Sequence, residues 1–126
     1  MCTNVHIYSR QMESITTRAQ AADACIEILD ADFFRALCEP ARLEIFRQLV
    51  LVGRSDIATI AEAMPQDRSV IARHLQTLER AGVVRAQTEG RHTFYEIDGP
   101  AIASRMEKIV GLMRTLVPLC CAGPAR

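Results

Sequence analysis

Apolar residues recur at spacings of three and four near both ends of the chain, which predicts helices there. The first series lies in residues 12–37 and consists of Ile15, Ala19, Ala22, Ile26, Leu29, Phe33 and Ala36. The second series consists of Ile102, Met106, Ile109, Met113 and Leu116. Each is a heptad seam, the pattern of a helix that packs on another helix. The two seams therefore either meet across a dimer axis or form the ordinary core of a monomer.

The first seam leaves the number of helices open. Asp30 and Asp32 both have side chains that suit a helix N-cap, and either could start a second helix. Residues 12–37 therefore form one long helix or two.

Helix breakers and capping residues mark three further helices in the middle of the chain. They lie at about residues 40–52, 56–63 and 67–81. Pro40 suits a first helical turn, and Gly53 and Gly82 suit the position just past a helix end. The candidate caps of the second and third of these helices are Ser55 or Asp56, and Gln66 or Asp67.

Two strands and a last helix complete the pattern. The strands cover residues 83–87 and 93–97, and Gly90 in the turn between them can take a positive φ without strain. The last helix starts with Pro100 near its first position. The predicted fold class is mainly α with a small β-hairpin.

The helix at 67–81 is amphipathic and follows a short helix and a tight turn. Its apolar stripe consists of Val70, Ile71, Leu75 and Leu78, and its polar face of Arg68, Ser69, Arg73, His74 and Thr77. This is the layout of a helix-turn-helix whose second helix enters a DNA major groove, and the hairpin after it would be a wing.

The polar face and the wing supply the candidate DNA contacts. Arginine can bond guanine in a bidentate way, and serine or threonine can contact bases or phosphates. Gln66 and the amides at the helix start could hold a phosphate. Arg85, Arg91 and His92 would contact the backbone or minor groove from the wing. For each residue alone, the alternative is a solvated surface side chain.

The order of the elements and three segments resemble the ArsR–SmtB family of winged-helix repressors. The segments are LCEPARLEIFRQLV, the run ARHLQTLERAGVV of the helix-turn-helix and the wing EGRHTFYEI, and the resemblance covers roughly residues 32–117. It implies a homodimer, formed by the first and last helices, that binds double-stranded operator DNA and releases it when an inducer binds. The family often has Ser or Thr where Ala72 stands, so one contact usual there is missing.

The chain of 126 residues, 49% of them hydrophobic, is long enough for one globular domain. We expect a flexible tail at 1–11, the winged helix-turn-helix domain with its dimerising helices at 12–117, and a C-terminal segment at 118–126. No apolar run reaches the length of a membrane span and no signal peptide is visible, so we expect a cytoplasmic protein without membrane contact.

The formal net charge is zero, but the charge is unevenly distributed. Residues 1–63 hold six Arg and nine Asp or Glu, whereas residues 64–95 hold five Arg and three Asp or Glu. The positive segment coincides with the proposed recognition helix and wing, which favours DNA as the partner.

Five cysteines are many for a chain of this size, and an odd number argues against a disulfide framework. The family's arsenic motif, Cys-x-Cys, would fall on residues 53–55, which are Gly, Arg and Ser here. Its zinc site on the last helix uses pairs of Asp and His, and this last helix has no histidine. What remains is the pair Cys120-Cys121, which follows Pro118, where we expect the helix to kink or end.

Trivalent arsenic or antimony favours three thiolates, and thiolates in general select soft ions. Cys120 and Cys121 would supply two, and the third would come from Cys38 or, as the alternative, Cys25, in the same subunit or its partner. Cys2 is the least favoured. A lone Cys25 or Cys38 could equally be a small buried hydrophobe.

Other functions remain open at this point. Zinc or cadmium could bind to four sulfur ligands, and a thiol redox or sulfide sensor needs only two close cysteines. An enzyme with a Cys120 or Cys38 nucleophile lacks any recognisable histidine partner motif, so we expect no enzymatic activity. A winged helix that binds protein instead of DNA would not need the arginines of the polar face.

Overall fold

A computed structural model describes residues 15–120. It confirms the mainly helical winged helix-turn-helix fold. Its elements are α1 (Arg18–Ile28), α2 (Ala31–Ala36), α3 (Pro40–Val52), β1 (Ser55–Asp56), α4 (Ile57–Glu62), α5 (Arg68–Arg80), β2 (Val84–Glu89), β3 (His92–Ile97) and α6 (Gly99–Cys120). The predicted N-terminal tail, Cys2, Cys121 and most of the predicted C-terminal segment lie outside the described residues.

The first seam is two helices, not one. Thr17 starts α1 with a capping box, in which its side chain accepts from the Gln20 N–H and the Gln20 side chain accepts from the Thr17 N–H. Leu29, at φ −80° and ψ 71°, leaves the helical conformation and ends α1. Asp30, one of the two predicted capping residues, directly precedes α2.

The caps of the helix-turn-helix lie where the sequence predicts them. Asp56 accepts a hydrogen bond from the Thr59 N–H (2.9 Å) at the start of α4. Asp67 accepts one from the Val70 N–H (3.1 Å) at the start of α5. Gly53 and Gly82, with φ values of +84° and +79°, follow the ends of α3 and α5.

The sheet has three strands rather than the two predicted. β2 and β3 form the antiparallel hairpin, paired from Val84 opposite Ile97 to Glu89 opposite His92. β1 pairs with the other edge of β3, giving the order β1-β3-β2. A strand of two residues is too short to show an alternating pattern, so the sequence does not reveal it.

The chain divides into two compact units. The unit Ala31–Ile102 contains the helix-turn-helix and the wing around one apolar cluster. Its fully buried large side chains are Phe33, Ile45, Ile71, Leu75, Leu78, Val83 and Val84. Phe33 and Ala36 from the first predicted seam belong to this core.

The other unit comprises the described residues up to Asp30 and from Ala103 onward. Ala21, Ile28 and Leu112 are buried in it. An ion pair of 3.1 Å joins Asp30 to Arg105. Within residues 15–120, no helix combines the length and the hydropathy that crossing a membrane requires.

Both helices of this second unit carry apolar side chains on their outer surface. Ile26 is 81% exposed and Leu29 42% exposed. On α6 the exposed apolar residues are Met106, Val110, Met113 and Val117, which repeat at spacings of four and three. Ile109 and Leu116 of the predicted seam are half-buried beside them.

Pro118 does not end the last helix. α6 continues through it to Cys120, so one of the two predicted effects, a helix end at this proline, is wrong. A proline removes only its own N–H donor and crowds the carbonyl one turn earlier, which can bend a helix without ending it.

Candidate nucleic-acid interface and cysteine sites

α5 displays a cationic face to solvent because its opposite side is fixed in the core. Ile71, Leu75 and Leu78 are completely buried, which turns Arg68, Ser69 and Arg73 outward, and all three are exposed. Neither of these arginines forms an ion pair with another residue of the described range 15–120. Their guanidinium groups are therefore available to an anionic partner.

Two further residues, which do not belong to the predicted set, lie on the same exposed face. Gln76 and Arg80 are exposed and follow Ser69 and Arg73 by seven residues, or two helical turns. The spacing was visible in the sequence and could have identified them. Arg80 Nε donates to the Gln76 carbonyl oxygen at 3.4 Å.

His74 and Thr77, which were predicted on this face, lie on its flank and are half-buried. His74 Nδ1 is 3.5 Å from Arg42 Nη1, and Thr77 Oγ1 donates to the Arg73 carbonyl at 3.1 Å. Arg42 also donates from Nε to the carbonyl oxygen of Ala36 at 2.6 Å. His74 thus contacts Arg42, whose side chain donates to a carbonyl oxygen at the C-terminus of α2.

Gln66 occupies the turn before α5 and is partly buried. Its side-chain Oε1 is buried and has no hydrogen-bond donor among residues 15–120. One backbone N–H of the first turn of α5, that of Val70, already donates to Asp67, and the phosphate site stays a prediction.

Hydrogen bonds stabilise the ionised form of both capping aspartates of the helix-turn-helix. The pKa of Asp67 is lowered by the hydrogen bond from the Ser69 hydroxyl, 2.8 Å long, and then by the one from the Val70 N–H. The pKa of Asp56 is lowered chiefly by the N–H and hydroxyl of Thr59, with a smaller electrostatic contribution from His92 and Arg68. Ser69 therefore supports the cap as well as facing outward.

The three predicted wing contacts differ in their surroundings. Arg85 Nε donates to Glu96 Oε1 at 2.8 Å across the hairpin, and this carboxylate raises the pKa of Arg85. Arg91 is exposed in the turn after Gly90, and it forms no ion pair within the described part of the chain. His92 is exposed, with its ring centroid 6.3 Å from that of Phe94.

Arg54 is a fourth cation near the wing, and it does not belong to the predicted contacts. Its Nη2 atom lies 2.6 Å from Glu89 Oε1, and its Cζ lies 4.2 Å from the centroid of the Phe94 ring. Arg54 is 35 positions from Glu89 in sequence, and the pairing of β1 with β3 brings it to the hairpin.

The described cysteines do not form a metal site by themselves. Cys25 is half-buried, and Cys38 and Cys120 are exposed. Cys38 Sγ lies 3.2 Å from the carbonyl oxygen of Phe34. Within residues 15–120, no group of three or more His, Cys, Asp or Glu side chains is placed to hold a metal ion. Cys121 lies outside the described residues, so the predicted set of three thiolates stays a prediction.

Three curated relatives are transcriptional regulators. An uncharacterised helix-turn-helix regulator of Methanocaldococcus jannaschii is 31% identical over 86 residues, 68% of this chain and 92% of the relative. The arsenical resistance operon repressor of Bacillus subtilis is 27% identical over 70% of this chain and 75% of its own length. A cadmium resistance regulatory protein of Staphylococcus aureus is 26% identical over 62% of this chain and 64% of its own length. No family model matches the chain.

Two solved structures share the fold. One is the homodimeric winged helix-turn-helix DNA-binding domain of a possible ArsR-family regulator from Mycobacterium bovis, with a TM-score of 0.57 and 26% identity over 82% of this chain and 91% of that one. The other is a possible transcriptional regulator for arsenical resistance, with a TM-score of 0.56 and 26% identity over 71% of this chain and 97% of that one.

Proposed function

Because this chain belongs to the ArsR family of winged-helix transcriptional regulators, we propose that it is a homodimeric repressor that binds double-stranded operator DNA. The observation that carries this proposal is the exposed face of α5, where Arg68, Ser69 and Arg73 stand opposite a fully buried stripe. This helix would enter the major groove, and Arg91 would contact a phosphate or the minor groove from the wing. A DNA-bound repressor also implies a cytoplasmic location.

The exposed apolar residues of α1 and α6 support the homodimer. A helix that repeats Met106, Val110, Met113 and Val117 on its outer face gains stability by burying that stripe against a second copy. The homodimeric relative from M. bovis has the same fold. Two recognition helices related by a two-fold axis would then read the two halves of a palindromic operator.

For the inducer we propose trivalent arsenic or antimony bound to cysteine thiolates. Cys120 and Cys121 would supply two ligands and Cys38, or else Cys25, the third. Cys38 and Cys120 are both exposed and so accessible to a soft ion. The B. subtilis relative is an arsenical resistance repressor. Binding to the DNA-free form in preference to the DNA-bound form would release the operator by thermodynamic linkage.

Two other kinds of inducer are compatible with a repressor of this fold. The S. aureus relative is named for cadmium resistance, and zinc or cadmium also binds thiolates. A thiol redox or sulfide sensor would use the same cysteines without any metal. These alternatives predict release by different compounds.

A titration of the preformed complex separates these inducers. The protein is first bound to an operator fragment selected from genomic DNA, and the complex is followed by fluorescence anisotropy. Arsenite, antimonite, zinc, cadmium and peroxide are then added in parallel. We expect release by arsenite or antimonite at the lowest concentrations.

The other possible results distinguish the alternatives. Release by cadmium or zinc at lower concentrations than by arsenite would favour the metal alternative. Release by peroxide, reversed by a reductant, would favour the redox alternative. A protein that selects no fragment from genomic DNA would contradict the repressor proposal itself.

A further inference from the structure

We propose that Arg54 is a positioning residue of the wing, which holds the tip of the β2–β3 hairpin against the helix-turn-helix. Its effect on DNA rests on the proposed operator binding, but its effect on the hairpin does not. Arg54 lies in the loop between α3 and β1, outside both the recognition helix and the wing.

Two contacts hold the Arg54 guanidinium from different directions. Its Nη2 is 2.6 Å from Oε1 of Glu89, the last residue of β2. Its Cζ is 4.2 Å from the centroid of the Phe94 ring on β3. A planar guanidinium can stack on a ring and pair with a carboxylate at the same time, which a lysine ammonium cannot do in this geometry.

Neither contact would fix the hairpin by itself. The Arg54 and Glu89 side chains are 34% and 56% exposed, and an exposed ion pair of this kind contributes little because water screens it. A guanidinium that is bound to one residue on each strand, however, restrains the direction of the hairpin as well as its distance from the loop.

The tip of the wing needs such a restraint. β1 covers β3 only at Tyr95 and Phe94, so residues 88–93 extend beyond the third strand. A two-stranded hairpin is marginally stable without further packing. This tip carries Arg91, the wing cation that forms no ion pair within residues 15–120.

Asp56, which follows this loop on β1, responds to charges on both elements. Its pKa is lowered chiefly by hydrogen bonds from Thr59, and to a smaller extent by His92 on the wing and Arg68 at the start of α5.

Hydrogen exchange of the DNA-free protein tests the restraint directly. Arg54→Ala should accelerate amide exchange of residues 88–93 by about five- to thirtyfold. Glu89→Gln should accelerate it in the same sense while leaving the loop sequence intact. Arg47→Ala is the matched control, because it also removes an arginine that pairs with a partly exposed glutamate, Glu44 on α3. Unchanged exchange in both Arg54→Ala and Glu89→Gln would overturn the proposal.

A double-mutant cycle on DNA affinity tests the consequence. If Arg54 acts by positioning Arg91, then Arg54→Ala should weaken binding about three- to tenfold in the wild type and much less in an Arg91→Ala background. Equal losses in both backgrounds would mean that Arg54 contacts DNA itself, which would overturn the positioning role. A wild-type protein without DNA affinity would contradict the proposed function, whereas the hydrogen exchange would still decide the restraint.

Discussion

At the scale of single residues, the arginines of the recognition helix and the wing differ in their surroundings. Arg68, Arg73 and Arg91 are exposed and form no ion pair within residues 15–120, whereas Arg85 is paired with Glu96 and Arg54 with Glu89. The sequence predicted Arg85 and Arg91 alike because both flank the turn. Cross-strand partners depend on hairpin register, which a pattern of charges does not specify.

Arg73 and Arg91 should affect DNA binding in different ways. Arg73→Ala should cost about 1–3 kcal/mol of binding to the operator if its guanidinium bonds a guanine in a bidentate way. Arg91→Ala should weaken binding to all sequences and reduce the salt slope by about 1, as the loss of a phosphate contact does. Both are measured by anisotropy at several salt concentrations. If Arg73→Ala binds the operator like the wild type, α5 does not read bases through Arg73.

Asp67 should make the stability of the protein depend on pH. Its pKa in the folded protein is lowered by hydrogen bonds from Ser69 and Val70, so its contribution is present above the ordinary aspartate pKa, about 3.9. It is lost as the pH falls through the lower, folded-state pKa.

The variant Asp67→Asn keeps a helix cap and removes the titration. Urea unfolding at a series of acid pH values should show a shallower loss of stability in this variant than in the wild type. Asp56 contributes in the same sense, so some pH dependence should remain. Identical pH profiles would show that the Asp67 cap does not respond to pH.

At the scale of elements, the sequence predicts the helices well and the sheet incompletely. Capping residues are local signals, and Asp56, Asp67, Gly53 and Gly82 end or start helices where expected. Whether residues 12–37 form one helix or two depended on the break at Leu29, which carries no such signal. β1 arises from its pairing with β3, a contact between distant residues.

Gly82 should be needed to end the recognition helix. Its φ of +79° is strained for any residue with a side chain, so Gly82→Ala should lower the free energy of unfolding by about 1–2 kcal/mol. Gly99→Ala is the control, because Gly99 begins α6 without a positive φ and a Cβ added there would meet no atom within 4 Å. Chemical denaturation measures both variants. Equal stability of the two would contradict the strain at Gly82.

At the scale of the whole molecule, the sequence predicts the exposure of surfaces better than it predicts their binding partners. Of the predicted seam on α6, Met106 and Met113 are exposed, whereas Ile102, Ile109 and Leu116 are half-buried. Val110 and Val117 join the two methionines in an exposed apolar stripe, as a dimer interface should appear in a single chain. The inducer site is harder, because Cys38 and Cys120 are 82 positions apart in sequence and their distance depends on tertiary and quaternary structure. Gln76 and Arg80 lie outside the predicted set, although their spacing of seven residues from Ser69 and Arg73 places them on the same face of the helix.

Met113→Lys should convert the dimer into a soluble monomer. Met113 is 38% exposed in the single chain, so a lysine there is tolerated in the monomer, but a dimer would bury its charge without a partner. Val50→Lys on α3 is the control, because Val50 is 61% exposed and lies outside α1 and α6. Sedimentation velocity distinguishes the two states. A Met113→Lys protein that remains dimeric would contradict an interface on this face of α6.

The central claim is that metalloid binding at the C-terminal cysteine pair releases DNA. The most direct measurement is the anisotropy of a labelled operator during arsenite titration, with the wild type and the Cys120→Ser, Cys121→Ser double variant compared. Serine removes the soft ligands at similar size and leaves α5 and the wing unchanged, so both proteins should bind the operator equally. We expect arsenite to release the wild type and to leave the double variant bound. Release of both proteins at the same arsenite concentration would contradict the claim.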